Sequence, residues 1–144
     1  MSLLRLLLKE PPPNEAPAAD PKWVKNKRGG YHKLLGMLSV ELSALEGIGG
    51  VYALWHRGVR PAWLYVGATD NLGQSLQEVR DMPEILAYEG RGGVYVSWSL
   101  IAPSSRAGVV KYMKQACSPV IADPLPHDKD DNRRAAPIEV KLPG

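Results

Sequence analysis

Two tyrosines stand at the centre of the residues able to do chemistry. Tyr52 and Tyr65 lie in GGVYALWHRGVRPAWLYVG, residues 49–67, each inside a short apolar run, with Gly67 two positions behind the second. A phenol both donates and accepts a hydrogen bond. In a strand its plain role is an aromatic packing residue whose hydroxyl is bonded at the sheet edge. Nearby groups suit a nucleic acid: Arg57 and Arg60 between the two runs, and Lys111 and Lys114 further on, could touch phosphate, while Trp55, Trp63 and Trp98 could stack on bases. The competing reading makes these solvated charges and core tryptophans.

Other chemistries find little support. His32, His56 and His127 lie far apart, without a second ligand at metal-site spacing, so no structural metal is expected. Cys117 is the only cysteine; an intrachain disulfide is excluded and a reducing, cytoplasmic setting is expected. The apolar peptide of Leu3, Leu4, Leu6, Leu7 and Leu8 is broken by Arg5 and far short of the roughly 20 residues of a membrane span. It reads as a sticky peptide for docking on a partner, or as a frayed terminus; Trp23 is a further docking candidate, with packing back on the domain from a solvated linker as the favoured reading.

Net charge is +3 over 144 residues, and its distribution says more. Residues 1–33 carry seven basic and three acidic groups, whereas residues 50–124 carry seven and six. Clustered positive charge therefore lies in the arm, where Lys22, Lys25, Lys27 and Arg28 are candidate nucleic-acid contacts, rather than in the body. Five prolines between Pro11 and Pro21, and four after Pro119, mark extended arms. The expected organisation is a leucine-rich peptide and Pro-rich, basic linker at 1–30, one α/β domain at 31–123, and an extended tail at 124–144.

Within the domain, Leu34, Leu38, Leu42 and Leu45 recur at helical spacing, which predicts a helix over 32–46 stopped by Gly47. Val51–Trp55 and Ala62–Val66 read as two strands of a hairpin. Thr69 or Asp70 can cap a helix reaching Arg80, and Pro83 opens a short turn of helix. VYVSWSLI after Gly92 and Gly93 alternates as a third strand, and Pro103 begins a last helix that ends before Pro119. The sum is a mainly antiparallel three-stranded sheet flanked by helices. In the tail, IEVKL could add as a strand to a partner, against a disordered alternative.

GVY, a loop, LYVG and then DNL opening a helix resemble the GIY-YIG nuclease superfamily, over about residues 49–122. The resemblance implies a small domain in which one motif tyrosine helps activate water and the other supports it. It also implies an arginine on the following helix to bind the scissile phosphate and a glutamate on the last helix to hold a divalent metal. By position these would fall at Ser75 and Val110, and an asparagine often found after the last helix would fall at Ala122. Serine cannot bind a phosphate bidentately, and valine offers a metal no oxygen. Arg80 shares the helix but lies about a turn and a half beyond Ser75, on another face.

The expectation is thus a GIY-YIG-like domain that keeps Tyr52, Tyr65 and Gly67 but not the catalytic groups, without cofactor, acting as an accessory interaction module on a larger protein assembly. The alternative is a structure-selective nuclease with a rearranged site. It would use Arg80 and an acid such as Glu78 or Glu84, with magnesium or manganese, or else bind DNA without cleaving it.

Overall fold

The computed structural model describes residues 21–58, 61–125, 128 and 135–143. Its centre is a four-stranded antiparallel sheet in the order β1-β4-β2-β3, built from β1 (His32–Lys33), β2 (Gly50–His56), β3 (Ala62–Thr69) and β4 (Val94–Ser99). The helices are α1 (Ser39–Ala44), α2 (Leu72–Arg80), α3 (Pro83–Leu86) and α4 (Pro103–Cys117). β2 is the middle of the sheet, paired with β3 on one side and β4 on the other.

Alternation along the strands sends side chains to two separate cores. Tyr52 and Leu54 of β2, with Leu64 of β3 and Val94, Val96 and Trp98 of β4, meet Leu72, Leu76 and Val79 of α2 and Leu42 of α1. Val51, Ala53 and Trp55 face the other way, onto Val109, Val110 and Met113 of α4. This second core is completed by the arms, because Trp23, Ile138, Val140 and Leu142 pack into it. Trp23 Nε1 donates to the Lys141 carbonyl at 2.7 Å, and the Ile138 N–H donates to the Gly108 carbonyl of α4 at 3.0 Å.

The helix expected over 32–46 is not formed as one piece, and the sheet has one more strand than expected. His32 and Lys33 pair with Val96 and Tyr95 as the edge strand β1. A 3-10 turn follows at Leu34–Gly36, Met37 is extended, and only Ser39–Ala44 is α-helical. Ladder bonds to β4 and the low helix propensity of Gly36 outweigh the leucine spacing. Leu38, read as part of the buried stripe, is 63% exposed, while Leu34, Met37 and Leu42 are buried. Gly47 does close this region, with a left-handed φ of 75°.

The remaining elements follow their local signals. Asn71, rather than Thr69 or Asp70, caps α2 by accepting the Gln74 N–H on its side chain at 3.2 Å. α4 starts with Pro103 in its first turn and ends at Ser118, whose φ is 48°. Beyond it the chain turns back along β3, where the N–H groups of Val120 and Ile121 donate to the carbonyls of Trp63 and Leu64. Among the described residues no helix is long and apolar enough to cross a membrane.

Candidate functional site

Register places the two tyrosines together. Tyr52 stands opposite Gly67, and Leu54 opposite Tyr65, so Tyr52 and Tyr65 are diagonal neighbours on one face of the ribbon. Their ring centroids are 5.6 Å apart, and neither ring has measurable exposure. The missing side chain at Gly67 leaves a notch between the two hydroxyls. A Cβ there would lie 2.5 Å from Asp128 Oδ2 and 2.7 Å from the Tyr65 hydroxyl. Space, rather than backbone conformation, is what requires glycine at this position.

Asp128, from the C-terminal tail, fills the notch. Tyr52 donates to Asp128 Oδ2 at 2.6 Å, and the Tyr65 hydroxyl donates to the same oxygen. Ser75, at the start of α2, lies 3.0 Å from Asp128 Oδ1 and 2.8 Å from the hydroxyl of Thr69. The Tyr65 oxygen in turn accepts the Leu125 N–H at 3.0 Å. Three hydroxyls thus converge on one carboxylate, which satisfies groups that would be costly to bury alone.

The electrostatics oppose base chemistry by the tyrosines. Burial, with the adjacent Asp128 charge, pushes both phenols well above the ordinary tyrosine value. They are held as donors. The Asp128 carboxyl is itself raised by burial, with its hydroxyl partners pulling it back down and the charge of Glu78 adding to the rise. The arrangement is a closed cluster of three hydroxyls on one buried carboxyl group that the chain itself supplies.

Ser75, where the resemblance expects an arginine, is 2% exposed and aimed at this cluster. Val110, where a glutamate is expected, lies in the second core, on the sheet face away from Tyr52. Ala122 is exposed, its carbonyl accepting from Lys114 Nζ at 3.1 Å. Arg80 is half-buried at the end of α2, and Glu84 is exposed on α3. Among the described residues no three His, Cys, Asp or Glu side chains are grouped to share a metal ion.

The remaining candidates are dispersed. Lys22, Lys27 and Arg28 are exposed on the N-terminal arm, and Lys25 Nζ lies 5.4 Å over the ring of Tyr31. Trp55 and Trp98 are buried, and Trp55 packs 5.4 Å from half-buried Trp63, so these rings belong to the protein's interior. Arg57 sits over Tyr95 at the far end of the hairpin. Arg60 and Leu3, Leu4, Leu6, Leu7 and Leu8 lie outside the described residues.

Sequence reasoning missed Asp128. It is 76 residues from Tyr52, within HDKDDNRR, where Asp130 and Asp131 present the same local pattern, so no spacing signal singles it out. In comparisons with known proteins, no family model, no curated protein and no solved structure matches the chain.

Proposed function

We propose that this protein is a non-catalytic, GIY-YIG-like interaction module, an accessory unit that docks on a larger protein assembly through its terminal arms. The observation that carries the reading is the engagement of both tyrosine hydroxyls with Asp128. A water nucleophile or phosphate at the notch would have to displace that carboxylate, and would meet Ser75 in place of a guanidinium. Phenols held protonated by burial and a neighbouring anion are poorly suited to draw a proton from water at neutral pH.

One observation favours the nuclease alternative. Asp128, with Glu78 close enough to raise its pKa, brings carboxylate to the tyrosines by a route other than α4. Incubating the full chain with supercoiled, branched and single-stranded DNA in magnesium or manganese separates the two readings. The expected result is intact DNA in every case, alongside a protein partner that co-purifies with the full chain and is lost on deletion of residues 1–20, which leaves Trp23 and Val24 in place on the domain. Cleavage abolished by Tyr65→Phe would overturn the proposal, and partner binding unchanged by the deletion would overturn the role of the N-terminal arm.

A further inference from the structure

Pro143, next to Leu142 of the second core, borders a groove of about 450 Å³ at the hairpin end of the sheet. Its lining includes Trp55, Arg57, Pro61, Ala62 and Trp63, and no acidic side chain.

Strand register puts the groove's side chains on one face. Trp55 of β2 stands opposite Trp63 of β3, and both pack with the second core. Arg57, two residues beyond Trp55, keeps to that face: its Cζ lies 4.8 Å from the ring centroid of Tyr95, which also packs on this core. Tyr31 and Tyr95 flank Trp55 with centroids 5.0 and 6.3 Å from its own. Lys25 Nζ lies 5.4 Å from the Tyr31 ring and Lys33 Nζ 5.8 Å from that of Tyr95. The aromatic cluster behind the groove thus already carries three cations, so a further cationic ligand is repelled and an apolar one bearing negative charge is favoured.

The groove also has hydrogen-bond donors beside it. The Trp23 indole N–H is bonded to the Lys141 carbonyl, whereas those of Trp55 and Trp63 have no acceptor among the described residues. No buried side-chain nitrogen among these residues lacks a partner, so the two indole N–H groups reach the surface. Aromatic walls with such donors suit a proline-rich segment, whose rings pack on the indoles and whose carbonyls accept from them.

We propose that the groove holds the chain's own proline triplet, Pro11–Pro13, with the carboxylates of Glu10 and Glu15 drawn to the cationic rim. Residues 1–20 lie outside the described residues. Residues 10–21 contain Glu10, Glu15 and Asp20 and no basic residue, the complement of Lys25, Lys33 and Arg57. The chain is also long enough. Trp23 is fixed on Lys141, two residues before Pro143, and the ten residues from Pro13 to Trp23 can span roughly 30 Å when extended. Such a tether holds the triplet at an effective concentration on the order of millimolar, which a weak polyproline contact can exploit. The contact is internal to the chain, shares no residue with the notch around Asp128 and does not rest on the proposed function.

The test is NMR of the full chain, whose four tryptophans give separate indole N–H signals. Proline ring protons of Pro11–Pro13 are expected to show nuclear Overhauser effects to the Trp63 indole. The triple variant Pro11→Ala, Pro12→Ala, Pro13→Ala should lose them, shift the Trp55 and Trp63 indole signals and leave that of Trp98 in place. A peptide of residues 9–20 added to this variant should restore the wild-type shifts saturably, and the same peptide with Glu10→Gln and Glu15→Gln should bind about threefold or more weakly. Unchanged Trp55 and Trp63 signals in the triple variant, no saturable restoration by the peptide, or equal affinity of the neutralised peptide would overturn the proposal. So would Overhauser effects seen only between isotopically distinct chains in a mixed sample, which would assign the groove to a second copy.

Discussion

At the scale of single residues, the decisive group is Asp128. Burial raises its carboxyl above the ordinary range despite the three hydroxyl partners. Folding therefore favours the protonated form. The stability this group contributes is fully present below the ordinary carboxylate value of about 3.9 and is lost as pH rises through the raised folded value. Asp128→Asn keeps an acceptor in the notch but cannot ionise. Its denaturation midpoint, measured relative to wild type, should move in the variant's favour as pH rises from about 4 to about 8; a difference independent of pH would mean that the buried charge carries no such cost. Tyr52, Tyr65 and Gly67 were legible in the sequence because motif and strand pattern fell on the same positions. Their partner was not, since a hydrogen bond across 76 residues leaves no local trace.

At the scale of elements, periodicity located the hairpin, α2, β4 and α4 because each repeats one pattern between clear breakers. It failed over 32–46, where the leucines fit a helix but His32 and Lys33 gain sheet bonds with β4. The correction has an energetic consequence. Leu42→Ala, in the first core, should cost about 2–5 kcal/mol. Leu38→Ala, at an exposed site, should stay within about 0.5 kcal/mol. Urea denaturation of the two variants checks this, and similar large losses would restore the single buried helix. The fourth strand was hidden for a simple reason: two residues are too few to display an alternation.

At the scale of the whole molecule, the arms complete the domain. Residues 138–142 and Trp23 cover α4 and the sheet beneath it; the sequence favours packing back on the domain for Trp23, whereas composition marks 124–144 only as an extended tail. The sequence offers IEVKL either as a strand for a partner or, more simply, as part of a disordered tail, but its apolar residues serve this chain's own second core. Close approach depends on Gly108, where a Cβ would come within 2.6 Å of the Ala136 carbonyl and 2.7 Å of the Ile138 side chain. Gly108→Ala should keep α4, since alanine is the better helix former, while lifting the arm. Hydrogen exchange at the Ile138 amide should quicken about tenfold or more; an unchanged rate would show that the arm can shift without leaving.

The backbone pairing outside the regular strands bears on how this protein can meet others. Along β4, the outer groups are engaged by His32 and Lys33 and by the Val24 N–H, which donates to the Trp98 carbonyl. Along the first half of β3, Val120 and Ile121 do the same. A sheet margin left bare is a template on which another chain can extend the ladder, and short or covered margins suppress that route. Much of the margin here is already occupied from within. Another chain would find little of that margin on which to extend the ladder, so open-ended growth of the sheet is disfavoured by the domain's own backbone pairing.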